Sequence, residues 1–369
     1  MIKILHTFST LDKGGAESRV MDLYRAIDRG NFSFDFAVTS LDEHYYTEEI
    51  LNMGGKIYNL HSIKELGIFR YIKQWKKLFK EKNYDVVHSH TGFESAIPIT
   101  IAAFCGVKKR ITHSRNMLKP FSKIKKFFCF FMKRLIIWFS TDLVAISTDA
   151  GNFLFGKRVM KKRGKHITDA IKINDFFDVD INLAEYKEKL GINSYKYVLG
   201  TVGNLRKIKN QEFMIRVFHE FLKSEPNSCL LIAGSGDELE NLQKTTENLS
   251  IADKVIFLGQ CNEVPKLLKV LSLFLLTSVT EGLADCVIEA QAANVKCLVS
   301  TGVPKDVDAG AGLVEYESLN SPVSIWAEKI KKMLDKPLPD ADETVRLLKK
   351  ANFNIDENVK LFEALYIGS

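Results

Sequence analysis

The sequence predicts an α/β protein with two doubly wound domains, each organised around a parallel sheet. Short apolar runs rich in β-branched residues alternate with amphipathic stretches along the chain, as strands alternate with crossover helices. At 369 residues the chain is longer than one hydrophobic core usually organises. Residues 172–195 have weak strand signal and several Asp and Asn residues, so the junction between the domains is predicted there.

The predicted strands form two series, one on either side of that junction. The first series lies near residues 2–8, 34–39, 56–59, 85–88, 110–113 and 143–147. The second series lies near residues 197–203, 229–233, 254–258, 272–277 and 296–300. Helical periodicity lies between them, for example at residues 15–28, 69–82, 93–104, 210–223, 237–248 and 285–293. The predicted domains are therefore 1–172 and 195–350, facing a central cleft, and residues 351–369 contain a last amphipathic helix.

Composition and charge narrow the class of protein. The six cysteines form no C-x-x-C pair, which favours reduced thiols in a cytoplasmic protein over a disulfide framework or a zinc site. Residues 1–8 are typical of a buried strand rather than a signal peptide, and no apolar run of about eighteen residues predicts a membrane span. Residues 1–180 have a formal net charge of +11 and residues 181–369 one of −4, so the first domain is expected to face an anionic partner.

The strongest local pattern follows the predicted strand at 272–277, where a glycine turn with Glu281 leads into a helix with Glu289. Both carboxylates could accept hydrogen bonds from sugar or ribose hydroxyls. The amides of Leu283 and Ala284 at the start of the helix suit a diphosphate. The alternative is that Glu281 caps the helix and Glu289 is a solvated surface residue. The apolar neighbours of Glu289 predict that it is buried, which favours the functional interpretation.

A second pattern follows the predicted strand at 197–203, where Gly203 precedes a group of cations. Gly203 allows the backbone to approach a ligand closely, and Arg206 and Lys209 could bind a diphosphate. Lys207 is interpreted as a bystander that faces solvent. An ordinary basic surface loop is the alternative, and the loop taken alone does not decide between them.

Two further groups follow strands of the first domain. Gly14 and Gly15 predict a turn that a phosphate or a sugar could approach, and the absence of G-x-G-x-x-G gives no support to NAD binding. His88, His90 and His113 lie at or beyond predicted strand ends. We take His113 as the functional candidate and His88 as the structural one.

No metal site is predicted. The histidines lack acidic neighbours at ligand spacing. Two Asp-x-Asp sequences, at 178–180 and 306–308, resemble acidic pairs that bind divalent metals, but they lie away from the predicted strand ends. We interpret them as linker and loop charges.

Residues 119–139 combine six cations, no acids and a dense group of aromatic residues. Packing on the sheet would explain part of the apolar content. A cationic helix with surplus Phe and Trp is also typical of helices that lie in the membrane interface, and residues 157–163 extend the basic surface. Nucleic acid is the rival partner, but no nucleic-acid-binding motif accompanies the patch. An anionic membrane surface is the predicted partner.

Several short motifs occur together in this chain. They are Gly14-Gly15-Ala16-Glu17, residues 85–90, residues 110–114, residues 145–147, Val202-Gly203-Asn204-Leu205-Arg206, residues 233–236, residues 257–259 and an E-x7-E spacing met by Glu281 and Glu289. With these motifs the chain resembles, nearly end to end, glycosyltransferase family 4, a family of retaining enzymes with the GT-B fold. Within that family it is most similar to bacterial capsule and exopolysaccharide transferases.

The resemblance implies roles for particular residues. Glu289 would bind the donor ribose, Glu281 would contact the donor sugar, and Arg206 and Lys209 would hold the diphosphate. His113 would lie at the reacting sugar. The full predicted donor-binding set is Gly14, Gly15, Gly203, Arg206, Lys209, Glu281, Gly282, Leu283, Ala284 and Glu289.

The resemblance further implies that no metal or other cofactor is needed, that the first domain holds the acceptor, and that the last helix packs back on that domain. Three positions depart from the family pattern. Asn204 stands where many members have Arg, so the guanidinium role would move to Arg206. Asp169-Ala170-Ile171-Lys172 replaces the usual Asn-Gly-Ile-Asp, and Asn294 replaces a glycine but also tolerates a left-handed helix end.

The function predicted from the sequence is transfer of a sugar, with retention, from a nucleoside diphosphate sugar to a lipid-linked glycan. UDP-sugar is the expected donor, a polyprenyl-linked glycan the expected acceptor, and the inner face of the bacterial cell membrane the expected location. Two alternatives stay open: a sugar-nucleotide epimerase with the same fold, and a non-catalytic partner subunit.

Overall fold

The computed structural model describes residues 1–12, 14–42, 44–115, 117 and 123–368, without the side chains of residues 123–125. The chain forms two compact units, Met1–Ala170 with Ile355–Ser369, and Ile171–Asn354. Residues 172–195, predicted as the junction, therefore belong to the second unit. They do so because the short helix that follows residue 173 packs against two helices of that unit.

The first unit contains a parallel sheet of seven strands in the order β3-β2-β1-β4-β5-β6-β7. The strands are β1 Ile2–Phe8, β2 Phe32–Val38, β3 Ile57–Asn59, β4 Val86–Ser89, β5 Lys109–Ser114, β6 Asp142–Ala145 and β7 Gly164–His166. Strand β7 was not predicted, because its Gly-Lys-His sequence is short and lacks an apolar run.

Helices cover both faces of this sheet. They are α1 Gly15–Ala26, α2 Thr47–Asn52, α3 Ile63–Lys82, α4 Ala96–Phe104, α5 Lys123–Phe139, α6 Thr148–Leu154 and α7 Lys157–Arg163. The inward side chains of β1 and β2, such as Ile4 and Phe34, are fully buried, which explains why these apolar runs form central strands.

The second unit contains a parallel sheet of six strands in the order β10-β9-β8-β11-β12-β13. The strands are β8 Tyr197–Val202, β9 Ser228–Ala233, β10 Val255–Gly259, β11 Leu273–Leu276, β12 Cys297–Ser300 and β13 Val314–Glu317. Its helices are α8 Asn174–Phe177, α9 Leu183–Lys189, α10 Gln211–Leu222, α11 Leu239–Asn248, α12 Val264–Lys269, α13 Asp285–Ala292, α14 Val323–Asp335 and α15 Ala341–Lys350. The edge strand β13, in which Glu alternates with Val and Tyr, was not predicted.

The last helix, α16 (Ile355–Ile367), belongs to the first unit, where Phe362, Leu365 and Tyr366 are buried in the core. The prediction of two doubly wound parallel sheets is confirmed. In each unit the strand order reverses beside the first strand, between β1 and β4 and between β8 and β11. Ligands of such sheets bind beyond the carboxyl ends of the strands at that reversal. Among the described residues, no helix is long and apolar enough to span a membrane.

Candidate functional site

In the second unit, two loops meet beyond the carboxyl ends of β8 and β11. One carries the cations at 206–209, and the other leads from β11 to α13. The amide of Val279 donates to the carbonyl of Ile208 at 2.8 Å, and the Thr277 hydroxyl donates to the carbonyl of Asn210 at 2.9 Å. These bonds hold the two loops together, so the two motifs that are 72 residues apart in sequence form one site.

Glycines keep the first loop open. Gly203 has φ of 154°, and a side chain there would meet nothing within 4 Å, so the space above its backbone is free for a ligand. A Cβ at Gly234 would collide with the carbonyl of Gly203, and one at Gly236 with the carbonyl of Leu205. The β9–α11 loop can therefore pack directly against the cation loop.

Lys209 and Glu281 form the centre of the site. The Lys209 ammonium donates to Glu281 Oε1 at 2.6 Å, and the Ser278 hydroxyl donates to the same oxygen at 2.5 Å. Both charged side chains are mostly buried. Burial lowers the pKa of Lys209, but the charge of Glu281, the hydrogen bond to it and the charge of Asp285 outweigh this effect, so the pKa lies above its ordinary value. Lys209 is therefore a permanent, positioned cation at neutral pH.

Arg206 lies in the same loop and is exposed. Within the described part of the chain, its guanidinium has no acidic partner. Lys207 is exposed as well, in agreement with the prediction that it faces solvent. The planar guanidinium of Arg206 is therefore available in this loop for the two parallel hydrogen bonds of bidentate phosphate binding.

The turn before α13 has an unusual backbone. Ala284, the residue that precedes the helix, is left-handed, with φ of 81°, and this conformation is costly for a residue other than glycine. The amides of Leu283 and Ala284 donate to no other group of the described residues. Glu289, in the second turn of α13, is partly buried; the prediction that it is buried is therefore only partly right.

Two further residues, not predicted from the sequence, support this site. Ser278 orients the Glu281 carboxylate through the hydrogen bond described above. Gly302 follows β12 and accepts a hydrogen bond from the amide of Glu281 at 3.1 Å, and a Cβ at that position would collide with the carbonyls of Ser278 and Val279. A glycine two residues after the end of a buried strand was the available signal.

In the first unit, four histidine rings cluster beside the reversal between β1 and β4. His6 Nδ1 and His90 Nε2 share a hydrogen bond of 3.0 Å, and His88 Nε2 and His113 Nδ1 share one of 3.2 Å. His88 Nδ1 also bonds to the Tyr366 hydroxyl at 2.9 Å. All four rings are buried, at most 5% exposed. His113 and His88, predicted to differ in role, therefore belong to one network.

Arg115 and Asp169, neither of which was predicted to have a role, complete this network. Arg115 Nε donates to His90 Nδ1 at 3.0 Å, and its Nη1 donates to Asp169 at 2.5 Å. A neutral His90 must then carry its proton on Nε2 and donate it to His6. His113 Nε2 has no hydrogen-bond partner among the described residues.

The Gly14-Gly15 turn lies at the amino end of α1. Gly14 has φ of −107°, so its conformation does not require glycine. A Cβ there would instead collide with the Glu17 carboxylate. This carboxylate therefore lies against the start of the helix, where its charge would oppose a phosphate.

Three histidines of the first unit have the spacing of metal ligands. His6, His88 and His90 each bring a ring nitrogen within 4.8 Å of the others, the single such group of three or more ligand residues in the described ranges. Both nitrogens of His90 are already bonded, one of them to the Arg115 guanidinium. A metal cation would therefore have to approach a buried positive charge, which opposes binding.

The buried histidines lead to a prediction about stability. Burial, with the charge of Arg115, lowers the pKa of His6 to about 3, and burial likewise holds the pKa values of His88, His90 and His113 well below 6.5. The unfolded chain takes up these protons near pH 6.5, whereas the folded chain does not. Stability is therefore complete above about pH 6.5 and falls as the pH drops, by about 1.4 kcal/mol per pH unit for each histidine.

Urea unfolding at about pH 7.5 and about pH 5.5 measures this slope. In the His6→Phe variant, an aromatic ring replaces the His6 ring, which packs 4.4 Å from Phe34. The unfolding free energy of this variant should change less with pH, by the contribution of one histidine, about 1.4 kcal/mol per pH unit. Equal stability of the wild type at the two pH values would show that these rings are protonated in the folded protein.

The comparisons with known proteins cover nearly the whole chain. Residues 183–350 match the family described as glycosyl transferases group 1. The chain is 29% identical to EpsF of Bacillus subtilis, named as a glycosyltransferase, over 97% of this chain and 94% of EpsF. It is 31% identical to the capsular polysaccharide biosynthesis glycosyltransferase CapH of Staphylococcus aureus, over 91% of this chain and 92% of CapH.

A third relative acts on a lipid-linked sugar. It is the UDP-Gal:α-D-GlcNAc-diphosphoundecaprenol α-1,3-galactosyltransferase of Escherichia coli, 25% identical over 79% of this chain and 77% of that enzyme. Among solved structures, Anabaena HepE in complex with UDP and glucose matches all of this chain and all of HepE with a TM-score of 0.80 and 17% identity. This likeness confirms the GT-B fold.

Proposed function

This chain belongs to the glycosyl transferases group 1 family, and we propose that it transfers a sugar from UDP-sugar to a lipid-linked glycan. Because it belongs to this family, the chain is a glycosyltransferase, and its similarity to CapH and EpsF assigns it to polysaccharide biosynthesis. One observation carries the donor assignment: the Lys209–Glu281 pair lies where the carboxyl ends of β8 and β11 meet, beside an open glycine loop. Retention of configuration and membership of family 4 are part of the proposal.

The donor diphosphate would bind between the two loops of this site. Lys209 has three ammonium protons, so it can keep its bond to Glu281 and still donate to a phosphate oxygen. Arg206 would supply a planar fork from the other side, and the amides of Leu283 and Ala284 would donate from the start of α13. Gly203 and Gly282 would leave room for the ligand.

The sugar and ribose would then use the carboxylates. Glu289 would accept hydrogen bonds from the ribose, and Glu281 from the donor sugar. The turn at Gly14 and Gly15 would contact sugar hydroxyls. We propose that His113, with its unpartnered Nε2, lies at the reacting sugar.

Leaving-group stabilisation would supply most of the catalysis. Departure of the diphosphate gives an oxocarbenium-like transition state, and charge builds on the β-phosphate. Preorganised cations and amides around that phosphate stabilise this charge more than they stabilise the ground state. The leaving phosphate can take the proton of the acceptor hydroxyl on the same face, which gives retention without a carboxylate nucleophile. Burial raises the pKa of the Cys286 thiol, which disfavours the thiolate that a nucleophile needs.

The nucleotide can be tested by binding. HepE, with the same fold, binds UDP, and this is the support for uridine. Thermal unfolding in the presence of UDP, ADP or GDP should show the largest rise in Tm with UDP. A larger rise in Tm with GDP or ADP would contradict the proposal that the donor nucleotide is a uridine nucleotide, but it would still support a diphosphate site.

Turnover is expected to be independent of added divalent metal. Within the described residues, no group of acidic side chains has metal-ligand spacing, and the cations of the site can neutralise the diphosphate. Activity should therefore survive excess EDTA. Complete loss of activity, restored by Mg²⁺ or Mn²⁺, would show that a metal ion, rather than Arg206 and Lys209, neutralises the diphosphate.

The acceptor is proposed to be a polyprenyl-linked glycan, which brings the protein to a membrane. The name of the E. coli relative includes a diphosphoundecaprenol-linked sugar. Helix α5 carries five aromatic side chains that are between 50% and 76% exposed: Phe127, Phe128, Phe130, Phe131 and Trp138. Met132 and Ile136 of the same helix are buried and anchor its opposite face. Residues 119–122 of the predicted segment lie outside the described residues.

We therefore propose that α5 docks on anionic lipid, and that the protein is peripheral on the inner face of the membrane. The exposed rings would enter the interface, and Lys126 with the cations of α7 would bind lipid phosphates, each contributing about 1 kcal/mol at low salt. Because these rings are exposed, packing on the sheet does not account for them.

The Phe127→Ser/Phe131→Ser double variant should bind vesicles of phosphatidylglycerol and phosphatidylcholine about tenfold or more weakly than the wild type, because two interfacial rings are lost. Co-sedimentation measures this binding, and binding should also weaken as salt rises. Phe69→Ser removes a ring of α3 that is even more exposed and serves as the control. Absence of wild-type binding to these vesicles at low salt would contradict the docking proposal.

A further inference from the structure

A cavity of about 370 Å³ lies between α5 and α7 in the first unit. Ile137, Phe155 and Val159 give it an apolar lining. Four cations surround this lining: Lys133, Arg134, Lys157 and Arg158. Among the described residues, no acidic side chain lines the cavity. An apolar pocket surrounded by positive charges is suited to an anionic amphiphile, a molecule with an apolar chain and a negatively charged head.

The cations of the cavity lack acidic partners. None of them forms an ion pair with an Asp or Glu of the described residues. Lys133 is half-buried, and its ammonium has one long hydrogen bond, 3.5 Å, to the carbonyl of Phe153. Burial and the neighbouring charge of Arg134 lower its pKa. Arg134 itself lies over the Phe130 ring at 5.2 Å, which holds its guanidinium beside the cavity.

An anion at this position would relieve the repulsion among these cations. Free phosphate would use only the charges, and the apolar wall would contribute nothing to its binding. A phosphate attached to an acyl chain uses both features, because the chain covers Ile137 and Val159 while the phosphate meets Lys133 and Arg158. In the docking proposed above, the exposed rings of α5 would hold this helix at a lipid surface.

We infer that the cavity between α5 and α7 binds the phosphate headgroup of an anionic phospholipid. The inference rests on the proposed membrane docking and adds to it a specific headgroup site. α5 runs from the carboxyl end of β5 to the amino end of β6, and Lys133 and Ile137 lie in its second half. His113, by contrast, lies towards the carboxyl end of β5. The bound lipid would therefore anchor the domain rather than enter the reaction.

Filling the cavity without changing any charge tests this inference. Val159→Trp should weaken binding to vesicles of phosphatidylglycerol and phosphatidylcholine at least about tenfold, because Trp fills the apolar part of the cavity that the lipid chain next to the headgroup would cover. On an unspecific charged surface the added Trp would leave binding unchanged or strengthen it. Lys133→Met should also weaken binding, and its loss should persist at raised salt, since a half-buried contact is screened less than an exposed one.

The matched control is Lys161→Gln/Lys162→Gln, which removes two cations of α7 that do not line the cavity. Its effect on vesicle binding should be smaller than that of Val159→Trp and should vanish at raised salt. A soluble short-chain phosphatidylglycerol should raise the Tm of the wild type but not of Val159→Trp, and inorganic phosphate at equal ionic strength should not raise it.

The outcomes separate the two proposals. Equal binding of wild type and both Val159→Trp and Lys133→Met to vesicles would overturn the headgroup site and leave the docking by α5 intact. An equal rise in Tm with inorganic phosphate would also overturn it, because it would show a simple anion site. Failure of the wild type to bind vesicles would overturn both, while sugar transfer to a soluble acceptor would be unaffected.

Discussion

Replacing Lys209 with methionine is expected to lower turnover about 10²–10³-fold, the loss found when one donor to a developing oxyanion is removed. Lys209 is positioned by the Glu281 carboxylate, 2.6 Å away, and methionine keeps most of its apolar stem while removing the charge. Steady-state kinetics with saturating acceptor measure the effect. We expect it mainly in kcat, because the contact strengthens as charge develops on the leaving phosphate.

A structural role for the ion pair must be separated from a role in the reaction. Lys209→Met leaves the Glu281 carboxylate without its cation, so part of the loss could come from destabilisation. The Lys209→Met/Glu281→Gln variant removes both charges and should recover most of the lost Tm. Its turnover should stay low. Recovery of both Tm and turnover in this double variant would show that Lys209 only supports the fold.

Replacing Arg206 with alanine is expected to lower turnover by a similar factor, on the order of 2–4 kcal/mol in transition-state stabilisation. Arg206 is exposed, so its loss should not change Tm. Its free guanidinium makes a bidentate bond only when the diphosphate is bound. The Km for the donor should rise together with the fall in kcat if the contact already exists in the ground state.

Lys207 offers a matched control for Arg206. It is the next residue in the chain, it carries the same charge and it is also exposed. Lys207→Ala should keep turnover within a few-fold of the wild type, because a screened surface charge contributes little. Similar losses in Lys207→Ala and Arg206→Ala would show that the loop acts through its general charge rather than through a positioned contact.

The fold was largely predictable because its strands are buried on both faces. Runs such as residues 2–8 and 272–277 are apolar over most of their length, and a parallel sheet with helices on both sides is the arrangement that buries them. β7 and β13 were missed because edge strands need no apolar run: the sequence of β7 is Gly-Lys-His and that of β13 is Val-Glu-Tyr-Glu. The segment at 172–195 was predicted as a junction because its short helices carry little apolar signal.

The candidate site was predictable where one motif carries the chemistry and less so where residues meet across the fold. Glu281 and Lys209 each lie in a recognisable turn, but the bond between them depends on the pairing of β8 with β11. Ser278 and Gly302 support Glu281 through contacts that spacing does not show. Arg115 and Asp169 are 54 residues apart, and only the fold brings them together beside the histidines.

Product analysis with a panel of UDP-sugars and a polyprenyl-diphosphate-linked sugar tests the central claim most directly. Release of UDP should require the acceptor, and mass spectrometry should show the acceptor enlarged by one sugar, with an α-linkage if the donor is α-configured. Both signals should fall in Arg206→Ala. Conversion of the donor to an isomer or to free UDP at the same rate without acceptor would contradict sugar transfer and favour an epimerase. Absence of turnover with every donor, despite UDP binding, would favour a non-catalytic partner.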